Sequence, residues 1–64
     1  MKVEFPTLMF SKENKTKFVT NLIEKVSATI IDNSETGHIS VICCDINEIE
    51  RSLRIARKYK RNIN

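Results

Sequence analysis

The sequence predicts a small α+β domain with the element order β-α-β-β-α, in which a three-stranded antiparallel or mixed sheet carries two helices on one face. Two stretches, after Ser11 and after Asp45, have apolar residues at helical spacing. Three other stretches are rich in β-branched or aromatic residues. The chain has 64 residues, a length that allows one domain, residues 1–64, and no second one.

The first predicted strand covers Val3 to Phe10, and Pro6 interrupts it. Because proline lacks the N–H group that a sheet ladder requires, we expect this strand at a sheet edge or with a bulge. Ser11 is the predicted cap of a helix over residues 12–25. The apolar side chains of that helix fall on one stripe, formed by Phe18, Val19, Leu22 and Ile23.

Residues 26–31 are open to two interpretations. The apolar stripe of the first helix continues through them, which gives the alternative order β-α-β-α with one long helix over residues 12–31. The same stretch is rich in β-branched residues and precedes a polar turn that ends in Gly37, followed by a strand pattern over residues 38–44. We favour the hairpin, because a helix that continued to Ile31 would turn that side chain towards water.

A second helix is predicted from Ile46 to about Arg61. Asp45 and Glu48 have the spacing of a capping box at its start. The tail, residues 62–64, is expected to fray.

The order of these elements also predicts their arrangement. A right-handed crossover from the first strand to the second leaves room for the third strand between them. This order resembles a ferredoxin-like domain that lacks its last strand, and the resemblance implies a fold and no activity.

The two cysteines, Cys43 and Cys44, are adjacent and therefore cannot join distant segments. We expect a reduced, cytoplasmic protein. The apolar runs are shorter than the roughly 20 residues that cross a bilayer, so no membrane contact is expected. A chain this small that has no disulfide or metal commonly buries additional apolar surface against a partner. We therefore expect a homodimer.

The charge is unevenly distributed. Residues 1–45 have a net charge of −1, whereas residues 46–64 have a net charge of +4. On a helix, four apolar residues of the second segment lie on one side, namely Ile46, Ile49, Leu53 and Ala56. Five cations lie on the other side within an arc of about 120°, and they are the candidate residues for binding a partner or phosphate: Arg51, Arg54, Arg57, Lys58 and Arg61.

Three interpretations of this cationic side remain. It is a solvated surface that complements the negative end of the helix dipole, a contact for nucleic-acid phosphates, or a docking surface for an acidic protein. Tyr59 could stack on a base, although it could equally cover the edge of the core.

No catalytic signature is present. Cys44 joins a strand to a helix N-terminus, a position that can make a thiol reactive, but we favour a buried strand cysteine. A metal site of His38, Cys43 and Cys44 is disfavoured because neighbouring strand side chains diverge. The chain is also too small to enclose an ordinary substrate pocket. We expect no enzyme, no cofactor and no small-molecule substrate.

The sequence therefore predicts a small, non-enzymatic, intracellular binding module. It would act as a regulator or inhibitor through protein–protein contacts made by the basic helix, an open strand edge or both. The alternative is a nucleic-acid-binding regulator whose Arg and Lys side chains contact phosphates. The bias towards Ile, Lys and Asn is typical of AT-rich genomes, which associates the chain with small accessory proteins of bacteria or phages.

Overall fold

The computed structural model describes residues 1–61, which form an α+β fold of three strands and two longer helices. The elements are β1 (Lys2–Pro6), a short 3₁₀ helix (Thr7–Met9), α1 (Lys12–Lys25), β2 (Thr29–Asn33), β3 (His38–Ile42) and α2 (Ile46–Tyr59). The strand order is β1-β3-β2, and both pairings are antiparallel. The third strand therefore lies between the other two, as the crossover argument predicts.

One face of the sheet is covered by both helices. Strand side chains alternate between the faces, and the covered face supplies Phe5, Ile39 and Val41 to the core. The opposite face is open, with Ile31 and Ile42 exposed. The core cluster draws on the sheet, both helices and the segment before α1: Phe5, Phe10, Phe18, Leu22, Val26, Ile39, Val41 and Ala56.

The first strand is shorter than predicted, because it ends at Pro6 and not at Phe10. The chain turns through Thr7–Met9, where the Thr7 N–H donates to the Gly37 carbonyl at 2.8 Å. This turn brings the ring of Phe10 into the core, where it stacks on Phe18 with the ring centroids 4.4 Å apart.

The predicted hairpin is confirmed and the long helix over residues 12–31 is wrong. Helix α1 ends at Lys25, and Val26 is its buried C-cap. The strand begins at Thr29, three residues later than the β-branched pattern indicated. Ile31 is 45% exposed even in the strand, because it lies on the open face.

The helices start where the sequence predicts, but their buried sides are rotated from the predicted ones. Ser11 caps α1, its hydroxyl accepting from the Asn14 N–H at 3.1 Å. Ile23 was predicted in the core and is 66% exposed. In α2 the buried residues are Ser52 and Ala56, whereas two residues predicted to face inward are exposed, Ile46 and Leu53.

Small side chains explain the rotation of α2. Ser52 is fully buried, and its hydroxyl donates to the Glu48 carbonyl at 2.9 Å, so burial leaves no polar atom without a partner. Helix α2 ends at Tyr59, two residues before the predicted end. The predicted fraying of residues 62–64 falls outside the described part of the chain.

Within residues 1–61, no helix is both long enough and apolar enough to cross a membrane.

Candidate interaction surface

The five predicted cations form the basic face of α2: Arg51, Arg54, Arg57, Lys58 and Arg61. All five are exposed. At about 100° per residue, the four that lie within α2 point away from the buried side at Ser52 and Ala56. Arg61 lies just beyond the helix, which ends at Tyr59. Lys60 contributes to the positive charge of residues 46–64 but is not one of the five predicted binding residues. It is also exposed, at the end of the helix.

Arg51 differs from the other members of the basic face because it is engaged within the chain. Its Nη1 donates to Glu48 Oε1 at 2.9 Å and to the Lys25 carbonyl at 3.4 Å. The second carboxylate oxygen of Glu48 accepts from the Ser27 N–H at 2.8 Å. Arg51 and Glu48 therefore tie the start of α2 to the end of α1.

The predicted capping box is half correct. The Asp45 carboxylate caps α2 by accepting from the Asn47 N–H at 2.9 Å. The Glu48 carboxylate accepts from Ser27 and Arg51 instead of returning to Asp45. The spacing alone could not indicate this, because the nearby segment of α1 is far away in the sequence.

Five other cations at this end of the molecule have no ion pair within residues 1–61, and we call them the free cations: Arg54, Arg57, Lys58, Lys60 and Arg61. The ion pairs of the described residues are Lys2–Glu4, Lys15–Asp32, Lys17–Glu13 and Arg51–Glu48. The positive charge of this surface is therefore presented to solvent.

An open groove of about 690 Å³ lies at the C-terminal end of α2. Its walls are formed by Ser11, Asn14, Arg57, Lys58, Lys60 and Arg61, with no acidic residue among them. The Ser11 hydroxyl is engaged by the cap, and the Asn14 amide nitrogen donates to the Tyr59 carbonyl at 3.3 Å. The cations are thus the groups of this groove whose donors are available to a ligand.

An apolar strip borders the basic face. Ile46 is 52% exposed and Leu53 is 39% exposed, and a spacing of seven residues places them on one line along α2. Leu53 also lines a smaller groove of about 210 Å³ with Glu50, Arg54 and Arg57. The sequence prediction missed this strip because it assigned both residues to the core.

Tyr59 joins the two helices. Its hydroxyl accepts from the Asn21 side-chain amide at 2.9 Å, and the ammonium of Lys58 lies 5.6 Å from the centre of its ring. The half-buried ring therefore covers the edge of the core, as one of the two interpretations predicted.

The cysteines and the histidine are not brought together. Cys43 is buried and its Sγ donates to the Asp45 carbonyl at 3.3 Å, whereas Cys44, predicted to be buried, is exposed. His38 lies at the other end of β3, with Nδ1 2.9 Å from the Thr36 carbonyl oxygen. In the part of the chain that the structure describes, no three or more His, Cys, Asp or Glu side chains are placed to share a metal ion.

Comparison of the chain with protein-family models, with curated proteins and with solved structures finds no match.

Proposed function

We propose that this chain is a small, non-enzymatic binding module that docks on an acidic surface of a protein partner through α2, and so acts as a regulator or inhibitor. One observation carries the proposal. Two of the free cations, Arg54 and Arg57, line a groove together with Leu53 of the exposed apolar strip.

This combination suits a protein partner. Protein interfaces have an apolar centre with a polar rim and are enriched in Arg. The strip of Ile46 and Leu53 would form the centre, which loses water on binding. The neighbouring cations would form the rim, where complementary charge speeds association and excludes basic partners.

The groove at the end of α2 favours a second function, the binding of nucleic-acid phosphates. It is lined by Arg57, Lys58, Lys60 and Arg61 without an acid. Arg offers a planar fork of donors that matches phosphate. Phosphate contact needs the cations alone, whereas docking on a protein also needs the apolar strip, and this difference separates the two functions.

The test is capture of a partner from a lysate of the source cells, with and without nuclease, using the wild-type chain and three variants. We expect one protein to be retained in a fixed ratio after nuclease treatment. Leu53→Ala and the double variant R54E/R57E should each lower its recovery at least tenfold. The control Lys12→Glu changes an exposed cation of α1 and should leave recovery unchanged.

Loss of the partner after nuclease treatment, with Leu53→Ala binding as well as the wild type, would contradict the protein partner and support phosphate binding. Equal recovery with all three variants would contradict a role of α2 in either function.

We also infer that the fold belongs with ferredoxin-like domains that lack the last strand. The position of β3 between β1 and β2, and the contribution of both helices to one core, support that grouping. We propose that the protein is located in the reducing environment of the cytoplasm. This proposal is supported by the unpaired thiols of Cys43 and Cys44, the second of which is exposed.

A further inference from the structure

The two outer strands of the sheet, β1 and β2, differ in what their free edges offer to another strand. On the β1 side, the Thr7 N–H donates to Gly37 and the Cys43 N–H donates to the Met1 carbonyl. Since inward and outward bonding alternate along an antiparallel strand, the residues that turn their backbone groups outward are Lys2, Glu4 and Pro6.

The edge of β1 is protected against pairing. Pro6 has no N–H to donate. Lys2 and Glu4 form an exposed ion pair at 2.9 Å, in which the hydrogen bond from Lys2 and its positive charge lower the pKa of the Glu4 carboxyl. Proline and charged side chains are the means by which natural edge strands avoid pairing.

The edge of β2 contains no proline, so each of its outward residues keeps an N–H to donate. Residues 38, 40 and 42 of β3 face β2 and pair with residues 33, 31 and 29. Ile30 and Asp32 therefore turn their N–H and C=O groups outward, and no other described residue bonds to these groups. Asp32, the acid of this strand, is already paired with Lys15 of α1 at 3.0 Å.

Apolar side chains lie on both sides of this free edge. Ile31 is 45% exposed on the open face of the sheet. On the helix side, a groove of about 320 Å³ between α1 and Asp32 has mainly polar walls, with Val19 as its apolar member. An arriving strand would thus cover Ile31 on the open face and Val19 on the helix side.

We propose that β2 pairs with β2 of a second copy of this chain, in an antiparallel ladder that joins the two sheets into one of six strands. With Ile31 opposite Ile31 of the second copy, Ile30 and Asp32 exchange hydrogen bonds across the ladder. The Ile31 pair is then a non-hydrogen-bonded pair, in which side chains approach most closely, with Cα atoms about 4.5 Å apart. The interface is self-complementary, as a two-fold dimer requires.

Charge permits a second copy in this register. The ladder places Asp32 opposite Ile30 of the other copy and Ile31 opposite its own counterpart. No two like charges therefore face each other across the pairing. The free cations of α2 would repel a second copy at that surface, so the edge of β2 is the place where two copies meet without like charge.

The test is the mass of the chain by sedimentation equilibrium over a wide concentration range. The wild type and the control Ile42→Lys, which puts a charge on the same open face but on the central strand, should both dimerise. Ile31→Lys should weaken the dimer at least tenfold, because it puts two like charges on the two-fold axis. Amide exchange should show Ile30 and Asp32 protected in the wild type and exposed in Ile31→Lys.

A second pair of variants examines the backbone bonds. Asp32→Pro removes an outward N–H and should abolish dimerisation, whereas Asp32→Ala keeps that N–H and should retain it. A wild type that is monomeric at every concentration would overturn the proposal. Loss of the dimer in Ile42→Lys to the same extent as in Ile31→Lys would also overturn it, because it would indicate contact through the open face.

Discussion

Glu48 connects two parts of the chain with one carboxylate. It accepts from the Ser27 N–H just after α1 and from Arg51, which lies in α2 like Glu48 itself. Its side chain is 16% exposed, so water screens these interactions only in part. Arg51 in turn bonds to a carbonyl at the end of α1, where carbonyls lack partners in the helix.

We therefore expect Glu48→Ala to lower the free energy of unfolding by about 1–2 kcal/mol, at or below the usual value for hydrogen bonds to charged groups because solvent screens these bonds in part. Urea unfolding followed by circular dichroism measures it. Glu50→Ala removes an exposed acid two residues away and should change stability by less than about 0.5 kcal/mol. Equal effects of the two substitutions would contradict the connecting role of Glu48.

Among single residues, those whose role depends on near neighbours in the sequence could be predicted. Ser11 caps α1 as predicted, and Phe18 and Leu22 are buried. The burial of Ser52 and exposure of Leu53 could not be predicted, because hydrophobicity alone places Leu inside. The rotation of α2 is set by how closely the helix approaches the rest of the fold, which small residues permit.

At the scale of elements, the β2–β3 hairpin depends on its turn. The Asn33 side-chain oxygen accepts from the N–H groups of Glu35 and Thr36 at 3.0 and 3.3 Å. Gly37 then adopts a φ of +72°, a conformation that favours glycine. The turn chemistry was readable from residue types, which is why the hairpin was predicted. Its first strand was placed too early because Val26 suits both a strand and a buried helix cap.

Gly37→Ala should destabilise the fold by about 1 kcal/mol, because at positive φ the Cβ of alanine lies too close to the backbone carbonyl oxygen that follows it. A Cβ at Gly37 would have only ordinary contact, with Thr7 Oγ1 at 3.8 Å, so the cost is conformational. Gly37→Asn should cost less, since asparagine tolerates this region better. Thermal unfolding of the two variants checks this, and an equal or larger loss for Asn would contradict it.

At the scale of the whole molecule, positive charge is concentrated on α2, while the rest of the chain is nearly neutral. This separation was predictable because charge can be counted along a sequence and placed on a helix. The engagement of Arg51 and the exposed strip of Ile46 and Leu53 were not predictable, because they depend on contacts between distant segments.

Concentrated like charge predicts that salt stabilises the chain. The free cations include pairs three or four residues apart, each of which destabilises a helix by about 0.2–0.5 kcal/mol at low ionic strength. Raising the salt concentration should increase the free energy of unfolding by about 0.5–1 kcal/mol through screening. The variant R54Q/R57Q should lose most of this increase and Lys12→Gln should keep it, as urea unfolding at two salt concentrations would show. An increase of the same size in R54Q/R57Q would contradict the explanation.

Pro6 has a consequence for how far the chain can assemble. A sheet in which both edge strands can pair with another copy can add copies at each edge without end, as in a filament. If copies pair through β2 as proposed, Pro6, which has no N–H to offer at the outer edge of β1, would leave the sheet one pairing edge. Association would then stop at a closed pair, whose two α2 helices would present the same cationic surface twice to a larger partner.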